Sequence, residues 1–93
     1  MPRWGLIVEE TCGYRDRRWE GTRLATFDGT REEALAMLLE RAKTYQPEHP
    51  RVPKRRQIYR QDDGFLALVR GATETFFLRF SVAELVHDSD AAT

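Results

Sequence analysis

The sequence has one cysteine, two lysines and no excess of charge of either sign. Cys12 alone cannot form an internal disulfide, so the chain reads as a protein of a reducing compartment, and the cytoplasm is the expected location. Fifteen basic side chains against fifteen acidic ones exclude the broad positive footprint of a general nucleic-acid binder. They equally exclude an acidic solvating tail. Apolar runs such as Phe65 to Val69 are short, whereas a membrane-spanning helix needs about 20 apolar residues. No basic stretch followed by an apolar segment marks residues 1–14 as a secretory signal.

Chemistry-bearing patterns are equally sparse. The glycines stand singly, so no glycine-rich loop is present to cradle a phosphate. Cys12, His49 and His87 are far apart and share no metal-ligand spacing, so neither metal nor cofactor is expected. Positive neighbours Arg15, Arg17 and Arg18 would favour the Cys12 thiolate, but no histidine is placed to act as its base. The pairs Glu9-Glu10, Glu32-Glu33 and Asp62-Asp63 are adjacent residues, which face opposite ways in a strand, and turn chemistry suffices for the last. No catalytic residue is predicted.

What is present is a core. Of 93 residues, 41% are hydrophobic and 11% aromatic, enough for one packed unit and too short for two, so residues 1–93 read as one domain. Arginine replaces lysine almost throughout, as the codon usage of a GC-rich bacterial genome would produce; selection for bidentate recognition is the other reading.

Alternation of Trp4, Leu6 and Val8 predicts a strand over 4–9, and a second strand is expected over 19–27, hairpinned to the first. Thr30 followed by Glu33 is a capping-box spacing. Leu35, Leu38, Leu39, Ala42 and Tyr45 then recur as one helical stripe, which Pro47 ends. Pro47, Pro50 and Pro53 recur at the period of a polyproline II turn, so this segment reads as a stiff connector. Strands over 56–61, 65–70 and 75–80 form a meander whose first hairpin is signalled by Asp62-Asp63-Gly64. Ser81 and Glu84 repeat the capping-box spacing and predict a short helix over 82–87, before a frayed tail over 88–93. The expected fold is α+β. A mainly antiparallel sheet of about five strands, in the order β-β-α-β-β-β, carries one long helix on one face and a short C-terminal helix.

Two surfaces stand out. Both faces of the last hairpin are apolar, with Phe65, Ala67 and Val69 opposed to Leu66 and Leu68, and Phe76, Leu78 and Phe80 opposed to Phe77. One long helix covers only one face, so the other needs the terminal helix, the connector, a second copy of the chain or another protein. Trp19, Phe65, Leu66, Leu68 and Phe77 are the candidate interaction residues, and a homodimer or protein partner the expected consequence. Trp4 is expected in the core.

The second surface is Arg51, Lys54, Arg55, Arg56 and Arg60, five cations with no acid among them. It reads as an anion or nucleic-acid site, with Tyr59 and Phe65 offering stacking, or as a charged edge strand that resists aggregation. Helix, meander and helix is also the order of double-stranded RNA-binding domains, which need positive charge around the final helix. Here that segment holds Glu84, Asp88 and Asp90 and no lysine or arginine, which disfavours nucleic acid. Pro50-Arg-Val-Pro53 followed by a base also fits a PxxP element, although a rigid crossover explains it as well. A small-ligand pocket between helix and sheet is a third possibility.

Overall fold

The computed structural model describes residues 2–12, 18–47 and 52–90. Five strands and one helix follow in the order β1 (Arg3–Cys12), β2 (Arg18–Asp28), α1 (Arg31–Thr44), β3 (Arg55–Gln61), β4 (Gly64–Arg70) and β5 (Thr75–Glu84). They form a single antiparallel sheet of order β2-β1-β5-β4-β3. The chain builds one hairpin, crosses by way of α1, adds a three-stranded meander, and closes the sheet by pairing β5 against β1.

Alternation sorts the side chains into two faces. Leu6, Val8, Phe65, Ala67, Val69, Leu78, Phe80 and Val82 point to one of them and are buried with Ala34, Leu38 and Ala42 of α1. The register explains the set. Val8 faces Phe80, Phe80 faces Phe65, and Leu78 faces Ala67, so the inner residues form continuous rows across three strands. Small side chains at Ala34 and Ala42 let the helix lie close to the sheet around Leu38. Leu35, Leu39 and Tyr45 pack partly buried at its flanks, and Trp4 fills the β2 side, partly buried, with its indole N–H donated to the Gly29 carbonyl at 2.9 Å.

The helix begins where local chemistry dictates. Thr30 Oγ1 accepts from the Glu33 N–H at 3.1 Å, and the Glu33 carboxylate accepts from the Thr30 N–H at 2.9 Å. Two of the otherwise unpaired donors of the first turn are thereby satisfied. Hydrogen bonding of the carboxylate to the Thr30 backbone N–H, and secondarily to the Thr30 side chain, holds the Glu33 carboxyl below its ordinary pKa.

The helix expected over 82–87 does not form. β5 continues through Ser81, Val82, Ala83 and Glu84, which pair with Ile7, Leu6, Gly5 and Trp4 of β1, and Leu85 extends the ladder by donating to the Arg3 carbonyl at 2.8 Å. Val82 continues the alternation of Leu78 and Phe80 and is buried on the inner face. A helix there would forfeit this ladder and expose Val82. The Ser81-Glu84 spacing is incidental.

The β3–β4 hairpin also differs in detail. Gln61 pairs with Gly64, so the turn residues are Asp62 and Asp63 and the glycine opens β4. Gly64 is required by β5: a Cβ there would collide with the Phe80 carbonyl and lie 2.8 Å from the Ser81 Cα. The Asp63 carbonyl accepts from the Val82 N–H at 2.9 Å, tying the turn to the same strand. Most of the proline connector, and residues 91–93 of the expected tail, lie outside the described residues; Asp88 to Asp90 form an exposed turn.

Candidate sheet-face interaction site

The face of the sheet opposite α1 has no helix over it among the described residues. Register places its side chains in rows. Gln57, Leu68 and Phe77 form one row; Tyr59, Leu66, Arg79, Glu9 and Gly21 form the next; Ser81, Ile7 and Arg23 belong to a third. Trp19 sits opposite Thr11 at the β1–β2 end of the first row. Tyr59, Trp19 and Phe77 are 51%, 42% and 41% exposed, while Ile7, Leu66 and Leu68 are half-buried. The Arg79 guanidinium lies 4.7 Å from the centre of the Trp19 ring and 4.0 Å from the Glu9 carboxylate. It is thus held between a cation–π contact and an ion pair. Large apolar and aromatic side chains from all five strands share this surface with a few ordered charges.

Of the five interaction candidates, Trp19, Leu66, Leu68 and Phe77 are brought to this face. Phe65 is not: as the neighbour of Leu66 it points inward, packs beneath α1 and is 7% exposed. Tyr59 joins the face in its place. Its alternation with Gln57 and Gln61 was visible in the sequence, but nothing there distinguished the outer side of an edge strand.

The basic run is dispersed by the same alternation. Arg51 lies outside the described residues. Arg56 and Arg60 belong to the helix side of β3, and Arg55 to the opposite side. Arg56 is committed to the fold: its two terminal nitrogens donate to the carbonyls of Ala42 and Tyr45, each at 2.6 Å, at the end of α1. A guanidinium there neutralises the negative pole of the helix and satisfies two carbonyls that have no partner within it. Partial burial pulls its pKa below the usual guanidinium value, which still leaves it charged at physiological pH. Arg60 lines a groove of about 440 Å³ beside α1, with Arg31, Glu32, Leu35, Leu39 and Phe65 among its walls. Arg55 faces Arg70 directly across β3 and β4. Arg70 is a cation that the linear run did not include.

One inward acid was also missed. Glu10 continues the inner alternation of Leu6 and Val8, is only 9% exposed, and accepts from the Tyr45 hydroxyl at 2.5 Å. Tyr45 in turn meets the Phe80 ring edge-on at a centroid distance of 5.7 Å. An acid in phase with a core stripe was the available signal. Cys12 pairs with Arg18 at the end of β1, while Gly13 to Arg17 lie outside the described residues. Among the described residues no three His, Cys, Asp or Glu side chains are grouped to hold a metal ion, and no helix is long and apolar enough to cross a membrane. Comparison of the chain with protein-family models, with curated proteins and with solved structures finds no match.

Proposed function

We propose that this protein is a non-catalytic interaction module that works through the uncovered face of its sheet and associates with a second copy of itself. The observation that carries the reading is the set Trp19, Tyr59, Leu66, Leu68 and Phe77, gathered on a face that no described helix covers. Contiguous exposed apolar surface of this kind marks interfaces, and aromatic side chains dominate their energetics. Arg79 and Glu9 supply polar contacts that orient a partner, as charges do in interfaces generally. Light scattering and sedimentation between about 1 and 100 μM test it, since dimers of ordinary affinity form in that range. The wild type dimerises, and Leu68→Glu with an unchanged circular dichroism spectrum is monomeric. A wild type that stays monomeric throughout would remove the self-association.

The groove between α1 and β3 favours a second reading, a small ligand held between helix and sheet. Its floor is apolar at Leu35, Leu39 and Phe65, and its rim carries Arg31 and Arg60. Arg31 also donates to the Asp62 carbonyl, which steadies that rim. Screening of fragments by chemical-shift changes at these residues tests this reading, and their absence dismisses it.

A further inference from the structure

We propose that Lys54 and Arg70, assisted by Arg55, form a binding site for a phosphate group, at the end of the sheet where β3 and β4 are joined to the turn before β5. It is distinct from the interaction described above and does not depend on it.

A hollow of about 430 Å³ is lined by Lys54, Arg70, Gly71, Ala72, Thr73, Glu74 and Thr75. Lys54, just before β3, and Arg70, at the end of β4, both line it, as do the hydroxyl-bearing Thr73 and Thr75. The site is braced by the backbone. Lys54 N–H donates to the Arg70 carbonyl at 2.7 Å, and Gly71 N–H donates to the Glu74 carbonyl at 2.8 Å, closing the turn. Glu74 also lines the hollow, and it is itself engaged in an interaction. Neither Lys54 nor Arg70 has an ion-pair partner among the described residues.

The register adds a physical argument. Arg55 and Arg70 are directly opposed on neighbouring strands and share the outer face. Like charges in that relation repel and destabilise the sheet. Lys54, next to Arg55 in the chain, lines the hollow together with Arg70, so positive charge reaches it from two segments. An oxyanion bridging them would turn this repulsion into charge-assisted hydrogen bonds, with the Arg70 guanidinium offering the bidentate fork that suits phosphate. The sequence hid the site because its central residue, Arg70, follows the basic run by ten positions and is returned to it only by the hairpin.

Titration of ¹⁵N-labelled protein with inorganic phosphate, against sodium chloride of equal ionic strength, tests the assignment. Phosphate is expected to move the backbone resonances of Gly71, Thr73 and Thr75 in a saturable manner. It should also raise Tm by about 5–10 °C once it stands about tenfold above its Kd. Arg70→Gln abolishes both effects, and in the absence of phosphate it melts no lower than the wild type, because it relieves the repulsion with Arg55. Adenosine monophosphate, which carries the same group on a small molecule, moves the same resonances. Absence of a phosphate-specific shift, or an undiminished shift in both Arg70→Gln and Lys54→Gln, would overturn the proposal. The wild-type resonance map decides the matter even if a variant fails to fold: changes confined to other parts of the molecule also overturn it.

Discussion

Adjacent arginines that look alike in the sequence differ sharply in what they hold. Arg56 bridges the carbonyls of Ala42 and Tyr45, each at 2.6 Å, whereas Arg55 is exposed and faces another arginine. Hydrogen bonds to a charged group contribute about 1.5–3 kcal/mol, and a cation at a helix C-terminus about 0.3–1 kcal/mol. These terms overlap, so Arg56→Ala should destabilise the protein by about 3 kcal/mol, a large part of the ~5–15 kcal/mol that separates folded from unfolded states. For a domain of this size that corresponds to a fall in Tm of about 12–24 °C. Arg55→Ala should change stability by less than about 0.5 kcal/mol, as exposed substitutions do, or raise it slightly. Arg56→Lys keeps the charge but cannot fork to both carbonyls, and should fall between the two. Urea unfolding followed by tryptophan fluorescence reads all three, with an unchanged slope against denaturant as the sign that only stability has moved. Equal effects for Arg55→Ala and Arg56→Ala would refute the assignment of Arg56 to the helix terminus.

Three other outcomes follow from the fold. Gly64→Ala places a methyl group against the Phe80 carbonyl and must separate β4 from β5, so urea unfolding should show a loss of about 3 kcal/mol or more. Tyr45→Phe removes the donor to the buried Glu10 carboxylate and should cost about 1–2 kcal/mol in the same assay. Glu33 has its pKa depressed by the cap, so the unfolded chain takes up its proton at a higher pH than the folded one. Its contribution is therefore complete above the unfolded pKa and is lost as pH falls through the folded value, and Glu33→Gln should flatten the acid limb of a Tm-against-pH curve.

Local signals were legible in the sequence, and long-range ones were not. Thr30 and Glu33 form the predicted cap because everything it needs lies within one turn. Ser81 and Glu84 have the same spacing, yet the outcome there is decided by β1, more than seventy residues earlier, whose free edge pairs with β5. The alternation through Phe76, Leu78, Phe80 and Val82 already carried that information, since a period of two does not suit a helix. The candidate surfaces follow the same rule. Leu66, Leu68 and Phe77 could be assigned to one face by counting, while Phe65 was misplaced among them by proximity in the chain. The basic run looked like one site because its members are contiguous, but a strand sends neighbours to opposite faces. Arg70 joins Lys54 and Arg55 only through the hairpin register, and strand order is a property of pairing that composition does not contain.

The claim that the uncovered sheet face is where this protein associates is most directly tested by hydroxyl-radical footprinting at two protein concentrations, below and above the onset of association. Trp19, Tyr59 and Phe77 should lose reactivity at the higher concentration, while Met37 on the outside of α1 and Val86 beyond β5, both exposed, keep theirs. Unchanged reactivity of the three aromatic residues in a sample that sedimentation shows to be associated, or protection at Met37 in their place, would contradict it.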